Sequence, residues 1–297
     1  MMNESISIKK DLDCNNSDNG ISLVQIFKRF KSQISVTFIL VLIESVLGIL
    51  FPLFIGWAIN DLLDNQLNGL YWLAALGFSS LIIGSARRLY DTRTYSKIYQ
   101  QVATERVEKE KTKQQTVSTI SARTSLLTEL VEFLENSMPE VINVFIGIIG
   151  TLFIVVTMNV NVFYACFSLA LLVSFVYLIT GRFNYQLNAN YNEELENQVK
   201  TLEQNDMGVI KLHFKNLMKW NIKLSDLETI NYFIIWLGVI ALLLYTPVSA
   251  IGMGVVDYGL VFSLMIYVFQ YIELIVALPL FIQQLIRLKE ISNRLSR

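Results

Sequence analysis

Two glutamates lie within long apolar segments, where a charged carboxylate costs free energy and therefore indicates a candidate functional site. Glu44 and Glu273 are the only charged residues within the long apolar segments of the sequence. An ionisable side chain in such a segment usually faces the interior of a helix bundle or water, where it can handle a solute or a proton. The alternative is that both glutamates only hydrogen bond to neighbouring helices. No Lys or Arg lies within these segments to neutralise either carboxylate, which favours the proton hypothesis.

Helical spacing groups further polar residues around each glutamate. At about 100° per residue, Thr37, Glu44 and Gly48 share one face of the first apolar segment. Asn143, in the third segment, is a weaker candidate for the same pathway, because polar residues there more often join helices. In the last segment we expect one arc of the helix to line a cavity, and this arc contains Ser263, Tyr267, Gln270, Glu273 and Ala277.

No arrangement typical of an enzyme or a metal site accompanies these residues. His213 is the only histidine, and its place near a predicted turn indicates a surface side chain. Cys14 and Cys166 form neither a disulfide framework nor a metal-ligand pattern. The sequence contains no Gly-x-x-x-x-Gly-Lys-Ser/Thr phosphate loop. We therefore expect no catalytic site, cofactor or metal, and the net charge of −1 gives no indication of nucleic-acid binding.

The elements that position these residues are membrane spans. Hydrophobic residues make up 53% of the 297 residues and charged residues only 16%, against about a quarter charged in soluble domains. Apolar runs of about 20 residues match the hydrocarbon core of a bilayer. The sequence therefore predicts an all-α membrane protein with six transmembrane helices at about 34–59, 70–86, 141–158, 162–181, 232–253 and 258–282.

The distribution of positive charge predicts the topology. The connecting segments 60–69, 159–161 and 254–257 contain no Lys or Arg. All 24 Lys and Arg residues lie in the two terminal flanks and in the long loops 87–140 and 182–231. The positive-inside rule therefore places both termini and both long loops in the cytoplasm of a multi-pass protein of the plasma (inner) membrane.

Three regions are expected along the chain. Residues 1–20 are rich in Asn, Asp and Ser, which predicts a disordered tail. Residues 21–33 alternate apolar and basic positions at helical spacing, which predicts an interfacial elbow helix; the alternative is a simple flank of the first span. Residues 34–297 form the six-helix transmembrane domain.

The two long loops are themselves helical in pattern. Gly and Pro are absent between Gly84 and Pro139, and Leu187 begins an apolar series repeating every three to four residues. We expect the second and fourth spans to continue as helices well beyond the membrane, with turns near 118–125 and 205–214.

Four segments resemble the six-helix membrane domain of ABC exporters. The segments are FPLFIGWAINDLLD at 51–64, the Arg-rich run that begins at Arg87, SARTSLLTELVEFLENSMPEVI at 121–142 and GVVDYGLVFSLMIYVFQYIELIVALPL at 254–280. Each is weak alone, but their order and spacing follow the family. The sequence ends at LKEISNRLSR, about where the ATPase domain of that family begins, so a stand-alone form of the membrane domain is expected.

The resemblance implies a transport function. It implies a homodimer in membrane lipid that moves a small or peptide-like solute, driven either by a separate ATPase bound at the cytoplasmic turns or by the proton gradient. The alternative is a non-transporting sensor or regulator on the same fold. A glutamate-lined central cavity favours the transporter, whereas a dry, packed centre favours the regulator.

The predicted topology can be checked by cysteine labelling in a variant without the two native cysteines. Cysteines introduced at Asn65, Asn161 and Asp257 should react with an impermeant thiol reagent added outside the cell, because these positions lie in the loops without positive charge. Cysteines at Lys113 and Lys211 should react only after permeabilisation. Reversed labelling at either set of sites would overturn the span assignment.

Overall fold

The structure, a computed structural model, describes residues 27–112, 114, 116–204, 206–252 and 257–296. Each of these segments is mainly helical except residue 114, which lies in a turn. A π-helical turn, Phe133–Ser137, joins the third and fourth α-helices. The predicted tail at 1–20 and the start of the predicted elbow lie outside the described residues. The α-helices are α1 (Lys31–Leu63), α2 (Asn68–Thr112), α3 (Val117–Glu132), α4 (Met138–Met158), α5 (Val160–Glu196), α6 (Gln198–Glu203), α7 (Met207–Ile251) and α8 (Tyr258–Ser296).

Six helical runs are long and apolar enough to cross a membrane, which confirms the predicted six-span fold. α3, the π-helical turn and α4 form one continuous run, Val117–Met158. α2 and α7 each contain 45 residues. At 1.5 Å per residue each is about 68 Å long, roughly twice the thickness of the hydrocarbon core. The prediction that helices continue far beyond the membrane is therefore confirmed.

The first of the two turns lies earlier than predicted, and the second lies at the start of its predicted range. Residues 118–125 belong to α3, whose first turn is capped by the Thr116 side chain accepting from the Thr119 N–H. Residues 207–214 belong to α7, where the Asp206 carboxylate accepts from the Gly208 N–H at 2.7 Å. Thr116 precedes the first predicted turn and Asp206 lies within the second, and side-chain caps of this kind fix where a helix starts.

The π-helical turn precedes Pro139. Proline has no N–H to donate to the carbonyl four residues earlier, and its ring crowds that carbonyl. A π-helical turn is one way in which a long helix absorbs such a break. The turn also places the Glu135 carboxylate where it accepts a hydrogen bond from Thr92 of α2 at 2.9 Å.

The contacts between residues divide the chain into two compact units. The first contains residues 1–150 and 277–297. Its core joins the start of α1 to the extension of α2 and to α3, and Phe27 and Phe30 of the expected elbow pack against it. Arg29 forms an ion pair with Glu105 of α2 at 2.6 Å, and this hydrogen bond holds the pKa of the Glu105 carboxyl below its usual range. The buried core residues are Ile34, Tyr95, Ile98, Val102, Leu127, Leu130, Val131, Phe133 and Leu134.

The second unit contains residues 151–276 and is built on the antiparallel pair α5 and α7. Buried hydrogen bonds connect the two helices near both ends of their spans. The Asn231 amide of α7 donates to Thr180 of α5 at 3.1 Å. Asn159, the N-cap of α5, donates to Ser249 of α7 at 3.2 Å. Because such groups are costly when unsatisfied in an apolar setting, these pairs fix the register of α5 against α7.

Candidate functional site

A polar network joins α1 to α2 near the C-terminal end of the predicted second span. The Arg87 Nε donates to the Glu44 carboxylate, and its Nη1 donates to Asp91 Oδ2 at 3.0 Å. The Thr37 hydroxyl completes the network by donating to Asp91 Oδ1 at 2.7 Å. One guanidinium thus holds two carboxylates from different helices.

The charges of this network are largely removed from water. The Asp91 side chain is 3% exposed, Arg87 12% and Glu44 26%. Removing a charge from water costs several kcal/mol unless a partner compensates it, and each carboxylate here has such a partner. Arg87 therefore works as a clasp that holds α1 against α2.

Helical spacing explains why these four residues meet. Thr37 and Glu44 lie seven residues apart on one face of α1, as predicted. Arg87 and Asp91 lie one turn apart on α2, the spacing at which oppositely charged side chains meet on a helix. Gly84, one turn before Arg87, leaves room for the carboxylate, since a Cβ there would lie 3.2 Å from Glu44 Oε1.

The expectation that Glu44 lacks a basic partner is therefore wrong. The second span was predicted to end at residue 86, so Arg87 was assigned to the cytoplasmic loop. Arg87 and Asp91 instead continue the helix of that span, and the long Arg side chain reaches the carboxylate on α1. Arg87 and Asp91, four residues apart just after the predicted second span, were the sequence signal that could have identified this network.

Asn143 lies in the first unit and hydrogen bonds with the Ser45 hydroxyl of α1. This hydrogen bond joins α4 to α1, and a place for Asn143 in a solute or proton pathway stays a prediction. Ser45 follows Glu44, so α1 contacts α2 and α4 through adjacent side chains.

The predicted arc on α8 does not form one open surface. Ser263 and Tyr267 are 1% and 0% exposed, whereas Gln270 is half-buried and Glu273 is exposed. Tyr271, the next residue of the buried side, donates its hydroxyl to the Cys166 carbonyl of α5 at 2.9 Å. In the single chain Ser263 and Tyr267 are therefore packed away from solvent, and the lining of a pathway by the arc stays a prediction. Helical spacing places residues on one face but does not fix where packing against a neighbour ends.

His213 is buried rather than on the surface, which corrects the sequence interpretation. Its side chain is 4% exposed, and its Nδ1 lies 2.8 Å from the Glu194 carboxylate of α5. His213 therefore helps to join the extensions of α5 and α7. Within the described segments, no group of three or more His, Cys, Asp and Glu side chains is arranged to hold a metal ion.

Comparison with known families agrees with this architecture. The family model described as ABC transporter transmembrane region matches residues 23–256, which is most of the chain. The chain therefore belongs to the ABC transporter transmembrane region family, as a multi-pass membrane protein whose domain serves transport rather than catalysis. No curated protein matches the sequence.

The role of Arg87 as a clasp gives a stability prediction. Arg87→Met keeps the length of the side chain but leaves the Glu44 and Asp91 carboxylates without their counter-charge. Breaking a buried ion pair in this way should lower the free energy of unfolding by about 3–5 kcal/mol, measured by denaturant titration in detergent. Arg88→Met is the matched control, because Arg88 is the exposed neighbour. Equal stability of the two variants would show that Arg87 does not hold the helices together.

Proposed function

We propose that two copies of this chain form a transporter for a small or peptide-like solute in the plasma (inner) membrane. The termini and long extensions lie in the cytoplasm in this proposal, in agreement with the Lys and Arg distribution. Membership of the ABC transporter transmembrane region family supports the transport function. The position of Glu273 is the observation that supports a second copy and a pathway between the two copies.

Glu273 is an exposed carboxylate on a membrane-spanning helix of the single chain. A charged side chain facing lipid at mid-membrane costs about 3 kcal/mol or more, so such residues face a protein partner or water. Its neighbours on the exposed side of α8 include Phe269, 55% exposed, and Leu280, 61% exposed. In the proposed dimer, a second copy buries these apolar side chains. Water enclosed between the two copies hydrates the Glu273 carboxylate.

The energy source is proposed to be an ATPase chain that binds the cytoplasmic turns between α2 and α3 and between α6 and α7. The helices that end at these turns continue without a long break into the membrane spans, so a displacement at a turn can reach the bilayer. The proton gradient is the second candidate, and the exposed Glu273 favours it. Glu44 is the poorer proton carrier, because Arg87 already binds its carboxylate.

Water access to Glu273 is the direct test of the proposed pathway. A cysteine at Glu273, in a background without native cysteines, should react with a charged, membrane-impermeant thiol reagent in inside-out or right-side-out vesicles. Phe175→Cys is the matched control, because Phe175 is 62% exposed on a span of α5 and is expected to face lipid. Equal, negligible labelling at both positions would indicate a dry centre and favour the regulator over the transporter.

A conservative substitution then separates the two energy sources. Glu273→Gln keeps the shape of the side chain and removes its titration. If the proton gradient drives transport, this variant should lose pH-driven accumulation of a labelled tripeptide mixture while folding and assembling normally. If accumulation keeps its dependence on pH in the variant, Glu273 is not the coupling site, and the ATPase account gains support.

A further inference from the structure

A groove runs along α5 within its predicted span at 162–181. It consists of two adjoining cavities of about 500 and 550 Å³ that share Ser168 and Leu172. The first cavity lies between α5 and α7, and the second lies along the exposed face of α5. Both volumes are in the range of pockets that bind small molecules. The residues that define this α5 groove are Ser168, Leu171, Leu172, Phe175 and Leu178 of α5 and Gly238 of α7.

The surface of the α5 groove is apolar. Leu171, Phe175 and Leu178 are 56%, 62% and 79% exposed. The Ser168 hydroxyl donates to the Ala165 carbonyl of its own helix at 2.8 Å, so its proton is not offered to a ligand. A polar solute in this groove would lose its hydrogen bonds to water without replacement, whereas hydrocarbon loses nothing. The groove therefore fits an apolar chain.

Close packing of α5 against α7 fixes the shape of the groove. A Cβ at Gly238 would lie 2.6 Å from the Leu172 Cδ2 and 3.0 Å from the Leu169 Cδ1, so the absence of a side chain at Gly238 permits this approach. The two buried hydrogen bonds described above hold the same helices near both ends of their spans. The groove is therefore part of the folded chain before any ligand binds.

A positive charge lies at one end of the groove. Arg182 is exposed and is the first residue after the predicted span of α5. At about 100° per residue, it lies within about 40° of Ser168, Phe175 and Leu178 around the helix. The described segments give Arg182 no ion pair. Glu228 of α7 acts electrostatically on Tyr177, which lies about 140° around α5 from Arg182 and so faces another side.

The length of the groove matches one leaflet of a bilayer. Ser168 and Arg182 lie about 21 Å apart along α5 at 1.5 Å per residue, and half of the hydrocarbon core is about 15 Å thick. An acyl chain in the groove therefore ends near the level at which Arg182 leaves the span. A guanidinium binds phosphate oxygens through two parallel hydrogen bonds. One apolar groove and one cation thus stand in the order in which a phospholipid carries its chain and its phosphate.

We propose that the α5 groove and Arg182 together bind one phospholipid molecule from the leaflet on the side of the α5 extension. An acyl chain lies along Ser168, Phe175 and Leu178, and the phosphate accepts hydrogen bonds from the Arg182 guanidinium. Charge complementarity favours a lipid over a second copy of the chain, because the bilayer places a layer of phosphates at the level of Arg182. The site goes beyond the proposed transport function and does not require the dimer.

Native mass spectrometry of the delipidated chain, titrated with phosphatidylglycerol, tests the role of Arg182. Arg182→Met should raise the Kd of the first bound lipid at least about tenfold, because charge-assisted hydrogen bonds to the phosphate are lost. Arg88→Met is the matched control, since Arg88 is also exposed and lies just past the predicted second span. It should bind the lipid as the native chain does. Equal Kd values for Arg182→Met and the native chain would overturn the proposal.

Filling the groove tests where the acyl chain lies. Ser168→Trp places an indole ring where the two cavities adjoin. It should raise the Kd at least about tenfold, because displacing even two methylene groups from the groove has this effect. Ile240→Trp is the control that should bind normally, since Ile240 is 49% exposed on α7 and lies about 160° around that helix from Gly238.

An unchanged Kd for Ser168→Trp refutes the lipid site. If this variant also contains fewer copies per particle than the native chain, the groove is instead a contact between copies.

Two partial ligands separate the lipid from its parts. Diacylglycerol has the acyl chains without the phosphate, and glycerol 3-phosphate has the phosphate without the chains. Each should bind at least about tenfold more weakly than phosphatidylglycerol, because each lacks one of the two contacts. Glycerol 3-phosphate that binds as tightly as the lipid would show a site for free phosphate, and diacylglycerol that does so would remove Arg182 from the site. Either result contradicts the proposal.

Discussion

The exclusion of unpaired charge from hydrocarbon is the constraint on which the rest of the structure depends. It confines every Lys and Arg to segments outside the six spans. It also explains the clasp, because Glu44 lies within α1 and needs the guanidinium that Arg87 supplies from the end of the second span. Glu273 is exposed on α8 without an ion pair to the described residues, and the same constraint underlies the proposal that water or a second copy surrounds it.

The Arg87 network and the core of the first unit hold the same pair of helices together. Arg87 and Asp91 connect α1 to α2 at the membrane boundary, and the core around Tyr95 and Leu130 continues this contact beyond it. These contacts pack α1, α2 and α3 against one another in the first unit. In the second unit, the His213–Glu194 and Asn231–Thr180 contacts join α5 to α7 in the same way.

The sequence predicted the features that depend on composition and periodicity. Six spans follow from apolar length, and the long extensions follow from the absence of Gly and Pro together with helical spacing. Contacts that depend on how far a side chain reaches were not predictable in the same way. Arg87 was assigned to a loop because the length of an apolar run does not show that a charged side chain just beyond it reaches α1. His213 lacked any periodic signal of its contact with Glu194, which lies on another helix.

The candidate pathway shows the same limit. Helical spacing grouped Ser263 with Glu273 on α8, but packing within the second unit buries Ser263 and leaves Glu273 exposed. Asn143, predicted as a weaker pathway candidate, hydrogen bonds with Ser45 of α1, as polar side chains within spans often do with neighbouring helices. Residue type therefore indicated which side chains need partners, whereas tertiary structure decided which partners they have.

The number of copies in one lipid particle tests the central proposal most directly, because we propose that a second copy covers the surface around Glu273, which is exposed in the single chain. The native chain, reconstituted at low concentration into lipid nanodiscs large enough for several copies, can be weighed by mass photometry after subtraction of the empty disc. The account predicts particles that contain two copies of the 34.0 kDa chain. Particles that contain one copy at every protein-to-disc ratio would contradict it.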